Sequence, residues 1–235
     1  AGDHVDGDGQ RELVFGEGSG RLALARPGKQ ANLDWKIQLI AAEPNPNIQK
    51  FYHGLGIGDV NRDGKLDLIT PHAWFPQPAE AAEAEKPWEL KAAKLGPAQS
   101  QMYAYDFDGD GDNDIIGASA HSFGLWWNEN KDGEFTQHEI DKTIAQTHAT
   151  ILADMNGDGL PDLVTGKRFY AHNGRDPGED EPPMLLWYEL KRENGKATWL
   201  KHIIDENSGV GTQFEVADVN RDGDLDIVIA NKHGV

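Results

Sequence analysis

The chain has 235 residues, no cysteine and a net charge of −18. Its length suits one sizeable domain, the missing thiols exclude a disulfide framework, and the acidity argues against nucleic acid as a partner. No apolar run is long enough to span a membrane as a helix, and no signal peptide is visible, as in a mature or trimmed chain.

The N-terminus opens on a degenerate acidic loop, His4-Val-Asp-Gly-Asp-Gly-Gln-Arg-Glu12. Four fuller copies follow: Asp59–Asp67, Asp106–Asp114, Asp154–Asp162 and Asp218–Asp226, their starts 47, 48 and 64 residues apart. Each carries oxygen-bearing side chains at positions 1, 3, 5 and 9: Asp59, Asn61, Asp63 and Asp67; Asp106, Asp108, Asp110 and Asp114; Asp154, Asn156, Asp158 and Asp162; Asp218, Asn220, Asp222 and Asp226. Position 6 is always glycine, which allows the sharp turn. Oxygen-only donors at this density suit Ca²⁺. The expected sites, about four in number, use these side chains and the backbone carbonyls of Lys65, Asp112, Leu160 and Asp224 at position 7. Four Ca²⁺ would bring the net charge from −18 to −10.

An EF-hand reading fails at position 12, where Thr70, Gly117, Thr165 and Ile229 replace the bidentate Glu. The residues after position 9, such as Leu-Ile-Thr and Ile-Val-Ile, are strand formers. Plain Asp-Gly turns would not need acids or amides at positions 3 and 9. The loop therefore joins two strands, A and B. Strand A runs into it at 51–58, 101–105, 149–153 and 213–217. Strand C carries an aromatic pair (Trp74-Phe75, Trp126-Trp127, Trp187-Tyr188), read as core packing. Strand D carries Trp35-Lys-Ile-Gln, Phe135-Thr-Gln-His and Trp199-Leu-Lys-His.

Repeats near 50 residues with several short strands each predict an all-β propeller of four-stranded antiparallel blades. The expected division is a partial blade at 1–50, blades at 51–94, 95–144 and 145–205, and a partial blade at 206–235. Such a count predicts a fragment of a six- to eight-bladed propeller, with further blades or domains in a longer chain. Pro76–Pro87 is a low-complexity acidic insertion with no assigned function.

The loops and flanking strands resemble FG-GAP/VCBS repeats, the blade unit of integrin-α-like propellers. "HGLGIGDVNRDGKLDLITPHAWF", "QMYAYDFDGDGDNDII", "THATILADMNGDGLPDLVTGKRFYAHNG" and "SGVGTQFEVADVNRDGDLDIVIANKHG" look like secreted bacterial VCBS proteins of planctomycete type. The wider superfamily includes adhesion modules, lectins, ulvan lyases and aldos-2-ulose dehydratase. The resemblance implies the fold and calcium, and leaves the function open.

Strand alternation puts the A–B loops at one end of each blade and the B–C and D–A connections at the other. His53 and His148 each lie six residues before their loop, with Ser100 and Thr212 at the same place in other blades. Strand A is innermost in a propeller, so these positions should rim the channel. His72, His121, Lys167, Arg168, His172, Lys232 and His233 follow strand B and fall on the same face, as does the insertion 171–183. Six of nine histidines thus gather opposite the calcium loops. His138 and His202, on strand D, read as outer-strand surface residues.

Histidine serves as acid, base or transition-metal ligand. Lys167 and Arg168 suit an anion such as a uronate, and Tyr170 is placed to donate a proton or stack on a sugar. Two function classes follow. In the first, an extracytoplasmic calcium-binding module binds a polysaccharide or small polar ligand through this face, with His72, His121, His172, Lys232 and His233 as binding residues. In the second, a sugar lyase or dehydratase uses His53, His148, Lys167, Arg168 and Tyr170 for catalysis, with Zn²⁺ as a further candidate at the histidines. A structural appendage to another domain is the third reading.

Overall fold

A computed structural model describes residues 2–3, 5, 9–28, 34–45, 48, 52–80 and 85–230. The strands build sheets that are antiparallel apart from one parallel pairing. The first sheet has the order β1 (Gly2–Asp3), β2 (Glu12–Gly16), β3 (Leu22–Pro27), β4 (Trp35–Leu39). Next come β5 (Leu55–Gly58), β6 (Asp67–Thr70), β7 (Ala73–Phe75) and β8 (Lys91–Ala92), then β9 (Gln101–Tyr105), β10 (Asp114–Ala118), β11 (Phe123–Lys131) and β12 (Glu134–Ala145). These two units merge into one eight-stranded sheet because β5 and β9 pair in parallel, Leu55 with Gln101 and Gly56 with Met102. The next sheet is β13 (Thr150–Ala153), β14 (Asp162–Lys167), β15 (Met184–Arg192) and β16 (Ala197–Asp205), followed by the pair β17 (Phe214–Ala217) and β18 (Asp226–Ile229). The fold is all-β and propeller-like.

The burial gradient explains the strand compositions. β6, β10 and β14 are buried at every residue, whereas β16 is mostly exposed. Continuous runs such as Asp-Ile-Ile-Gly-Ala suit the former, because a sheet lies against both faces and no polar side is needed. The hydrophobic clusters sit between successive four-stranded units. Phe107, Leu125 and Trp127 pack with Leu163, Leu186 and Tyr188, and Val60, Ile69 and Trp74 pack with Met102 and Ile115. The strand C aromatics are buried as expected, except that Trp187 is only partly covered.

The inner strands approach closely. A Cβ on Gly56 would stand 2.4 Å from the carbonyl oxygen of Met102, so only glycine fits there. Polar side chains tie the next pair of inner strands: the Tyr103 hydroxyl donates to the Thr150 carbonyl at 2.8 Å, and the Thr150 hydroxyl donates to the Gln101 carbonyl at 2.8 Å. The described parts of 76–87 form no strand or helix.

Candidate functional site

In the acidic loops, side-chain oxygens at positions 1, 3 and 5 accept backbone N–H groups. Asp154 accepts from Gly157, Asp158 and Gly159 at 2.8, 3.1 and 2.9 Å, Asn156 from Asp158 at 2.9 Å, and Asp158 from Leu160 at 3.0 Å. The loops at 59 and 218 repeat the pattern. Position 9 does a second job that spacing alone did not reveal. One oxygen of Asp67, Asp114, Asp162 and Asp226 accepts the position 2 N–H, at 2.9, 3.0, 3.0 and 2.9 Å. The other oxygen of Asp67, Asp114 and Asp162 accepts the N–H of Gln77, Asn130 or Leu190, which lie on or just after strand C. Position 9 thus clasps the loop to the sheet. The N-terminal copy keeps the clasp, Val5 N–H to Glu12 at 2.6 Å.

The clasp carboxyls of Glu12, Asp67, Asp114 and Asp162 are fully buried, and that of Asp226 is half-buried. Burial pushes Asp67 up to about 6 and Asp114 up to about 7, against the N–H bonds that lower them, and neighbouring acids raise them further. A cation would relieve that cost. The donor set fits one: oxygens of Asp106, Asp108 and Asp114 lie within 4.8 Å of one another, as do those of Asp108, Asp110 and Glu129. Glu129, on strand C, had no place in the loop pattern.

The opposite ends of the strands carry the histidines. His53 precedes β5, His121 lies in the β10–β11 turn, and His148 precedes β13. Their rings meet: His53 lies 4.5 Å from His121 and 4.6 Å from His148, and His121 lies 5.5 Å from His148, between centroids. His172, from the insertion, stacks on His121 at 4.7 Å. Nδ1 of His121 and Nδ1 of His172 lie 3.0 and 2.7 Å from Oδ2 of Asp176. Burial lowers His53 to about 4 and His148 to about 3, with Arg168 and the other histidines adding repulsion. Both rings are therefore neutral at pH 7. A cavity of about 230 Å³ opens where His53, Ser100, His148 and Thr212 converge. A second, of about 470 Å³, is lined by Arg168, His172, Asn173 and Thr212 among others.

The remaining predicted residues divide. Arg168 stays beside the cluster, its guanidinium donating to the Gln146 side chain at 3.4 Å. Lys167 does not join it: the side chain is buried and its ammonium donates to the carbonyls of Glu179 and Glu181 at 3.3 and 2.6 Å. A buried ammonium needs such acceptors, so Lys167 anchors the insertion. Tyr170 is exposed in a left-handed conformation, φ 47°, next to the equally left-handed His172. His72 is in the β6–β7 turn, outside the ring contacts of the cluster. His4, Lys232 and His233 lie outside the described residues.

His138 and His202 are more than surface residues. They stack on Trp127 and Trp187 at 4.8 and 4.3 Å and pair through Nε2 with Glu129 and Glu189 at 2.7 and 2.8 Å. Aligning Trp-x-Glu on strand C would have revealed those glutamates. Asp176 offered no such signal, since its insertion has no counterpart in the other repeats.

Comparison with known proteins agrees with this architecture. The family model described as FG-GAP-like repeat matches residues 106–165. No curated protein matches the chain. Among solved structures, the chain is similar to an Agrocybe aegerita lectin, described for specific recognition of non-reducing terminal N-acetylglucosamine. The TM-score is 0.56 at 18% identity, over 96% of this chain and 58% of that one. It is also similar to Bap1, a biofilm matrix protein of V. cholerae, with a TM-score of 0.50 at 16% identity, over 92% of this chain and 30% of that one. The chain therefore spans less than two thirds of either protein. At these identities the likeness speaks to the fold alone and says nothing about activity; together with the family match it supports an FG-GAP-type repeat fold. No helix among the described residues is long and apolar enough to cross a membrane.

Proposed function

We propose that this chain is an extracytoplasmic module, stiffened by calcium in its acidic loops, that binds a carbohydrate or another small polar ligand on the opposite face. The observation that carries the reading is the cavity where His53, Ser100, His148 and Thr212 meet. These four polar residues sit just ahead of the four inner strands β5, β9, β13 and β17, and Tyr52, Gln99 and Gln101 line the cavity with them. A concave site with convergent polar groups is the default ligand site of a folded domain. The fold likeness to a lectin favours a sugar among polar ligands.

The lyase or dehydratase reading draws on the neutral His53 and His148, which are ready proton acceptors. It also needs a proton donor, but both rings are held far below pH 7, and Tyr170, the donor that the sequence offered, is not among the residues lining either cavity. Lys167 is committed to backbone carbonyls. The geometry thus favours binding over turnover.

The test is a glycan array followed by calorimetry in calcium buffer freed of transition metals. We expect retention of a defined glycan class, with affinity lost at least about tenfold in the His53→Ala/His148→Ala double variant while melting is preserved. Absence of any retained glycan, or a double variant binding as well as the parent, overturns the reading.

A further inference from the structure

We propose that His53, His121 and His148 form a three-histidine centre for a divalent transition metal of the Zn²⁺ class, oriented by Asp176. It shares His53 and His148 with the proposed ligand site but rests on the convergence of three ring nitrogens and the Asp176 contact, so it stands or falls independently of sugar binding.

Each of the three side chains offers a ring nitrogen, and the three nitrogens lie within 4.8 Å of one another. A tetrahedral zinc with Zn–N bonds of about 2.0–2.1 Å separates its ligand atoms by about 3.4 Å. The nitrogens therefore have to close by at most roughly 1.4 Å to reach that spacing. The three ligands come from three turns that the inner-strand packing holds in place, so the site is set by tertiary structure.

The hydrogen bonding fits a metal ligand set. Asp176 is an acceptor when ionised, so its contact with Nδ1 of His121 fixes the proton there. The Nε2 lone pair is then left for the metal. This carboxylate–histidine pairing is the usual outer shell of a zinc-bound imidazole. Nδ1 of His148 is buried and has no hydrogen-bond partner among the described residues, a cost that a metal or its outer shell would remove. Arg168 adds positive charge nearby, and the Asp176 carboxylate offsets it. Imidazole nitrogen selects a transition metal over calcium, which prefers the oxygen-lined loops at the other end. Three protein ligands leave a fourth position open.

Co²⁺ reports the geometry, because tetrahedral coordination gives intense visible d–d bands. The chain is first saturated with Ca²⁺ so that the acidic loops are filled, then titrated with Co²⁺. We expect one equivalent bound with a tetrahedral spectrum, displaced by Zn²⁺. The spectrum should vanish in His53→Ala and His148→Ala, and Asp176→Asn should weaken Co²⁺ binding by about 10–100-fold. Because a variant can unfold, X-ray absorption of the zinc-loaded parent gives a second reading, with three imidazoles expected at about 2.0–2.1 Å. A featureless titration, an absorption spectrum with only oxygen neighbours, or folded histidine variants that keep the spectrum would each overturn the centre. Glycan retention is measured without transition metal, so loss of one result leaves the other intact.

Discussion

Asp141→Ala tests whether the histidine face depends on one buried link between neighbouring sheets. Asp141 leaves β12 to accept the Tyr188 hydroxyl at 2.7 Å, the Lys201 ammonium at 2.9 Å, and the Thr143 N–H and hydroxyl, both at 2.6 Å. Its sheet carries His121 and the neighbouring one follows His148. Tyr188 is 1% exposed, so losing its acceptor strands a buried donor at a cost of about 1–3 kcal/mol. The Lys201 side chain is 32% exposed and regains water, which leaves only about 0–1 kcal/mol for that pair. The Thr143 turn adds about 0.5–1.5 kcal/mol. The total is about 1.5–5.5 kcal/mol, a melting shift of roughly 3–22 °C for a domain this size. Urea unfolding in calcium-saturated buffer measures it. Tyr188→Phe should cost much less alone, and in combination with Asp141→Ala it should recover about 1–2 kcal/mol, since the stranded donor is gone.

The same link has a pH signature. Burial pushes the Asp141 carboxyl up, but the hydrogen bonds from Thr143, Lys201 and Tyr188 outweigh it and hold it well below the usual carboxylate range. A lowered folded value means stability that is fully present above the unfolded value, about 3.9, and lost as pH falls below it. The parent should therefore weaken more steeply than Asp141→Ala below about pH 4. An Asp141→Ala protein within about 0.5 kcal/mol of the parent, or strict additivity with Tyr188→Phe, refutes the reasoning.

Removing the proposed calcium with EDTA should lower the melting temperature, because a ligand bound only to the folded state stabilises it by about 2.7 kcal/mol at 100 times its dissociation constant. Asp110→Ala should lose part of that effect, and a melting curve indifferent to EDTA speaks against calcium. Gly56→Ala would press a Cβ against the Met102 carbonyl and part β5 from β9. It should cost about 1–3 kcal/mol by calorimetry and weaken any ligand bound beside His53, whereas an undiminished melting temperature would mean that the inner strands can separate freely.

Much of the scaffold was legible in the chain itself. The loop pattern repeats, so the hairpin joining strands A and B announces itself four times over, and the apolar runs after position 9 mark strands buried on both faces. The A strands at 101–105, 149–153 and 213–217 lie within a residue of where the pattern put them. Connectivity alone assigned the loops and the histidines to opposite ends, because antiparallel neighbours alternate direction. The partners of these residues were not legible. Asp67, Asp114 and Asp162 clasp the chain on or just after strand C, a contact that depends on sheet register and not on loop spacing. Lys167 reads like an available cation, but the insertion folds over it and consumes its ammonium. His121, His172 and Asp176 meet through that insertion, which occurs once and so leaves no periodic trace. Local repetition encodes hairpins and turns, since those depend on neighbours a few residues apart. Which side chains converge between sheets depends on how the sheets pack, and only the tertiary structure sets that angle and distance.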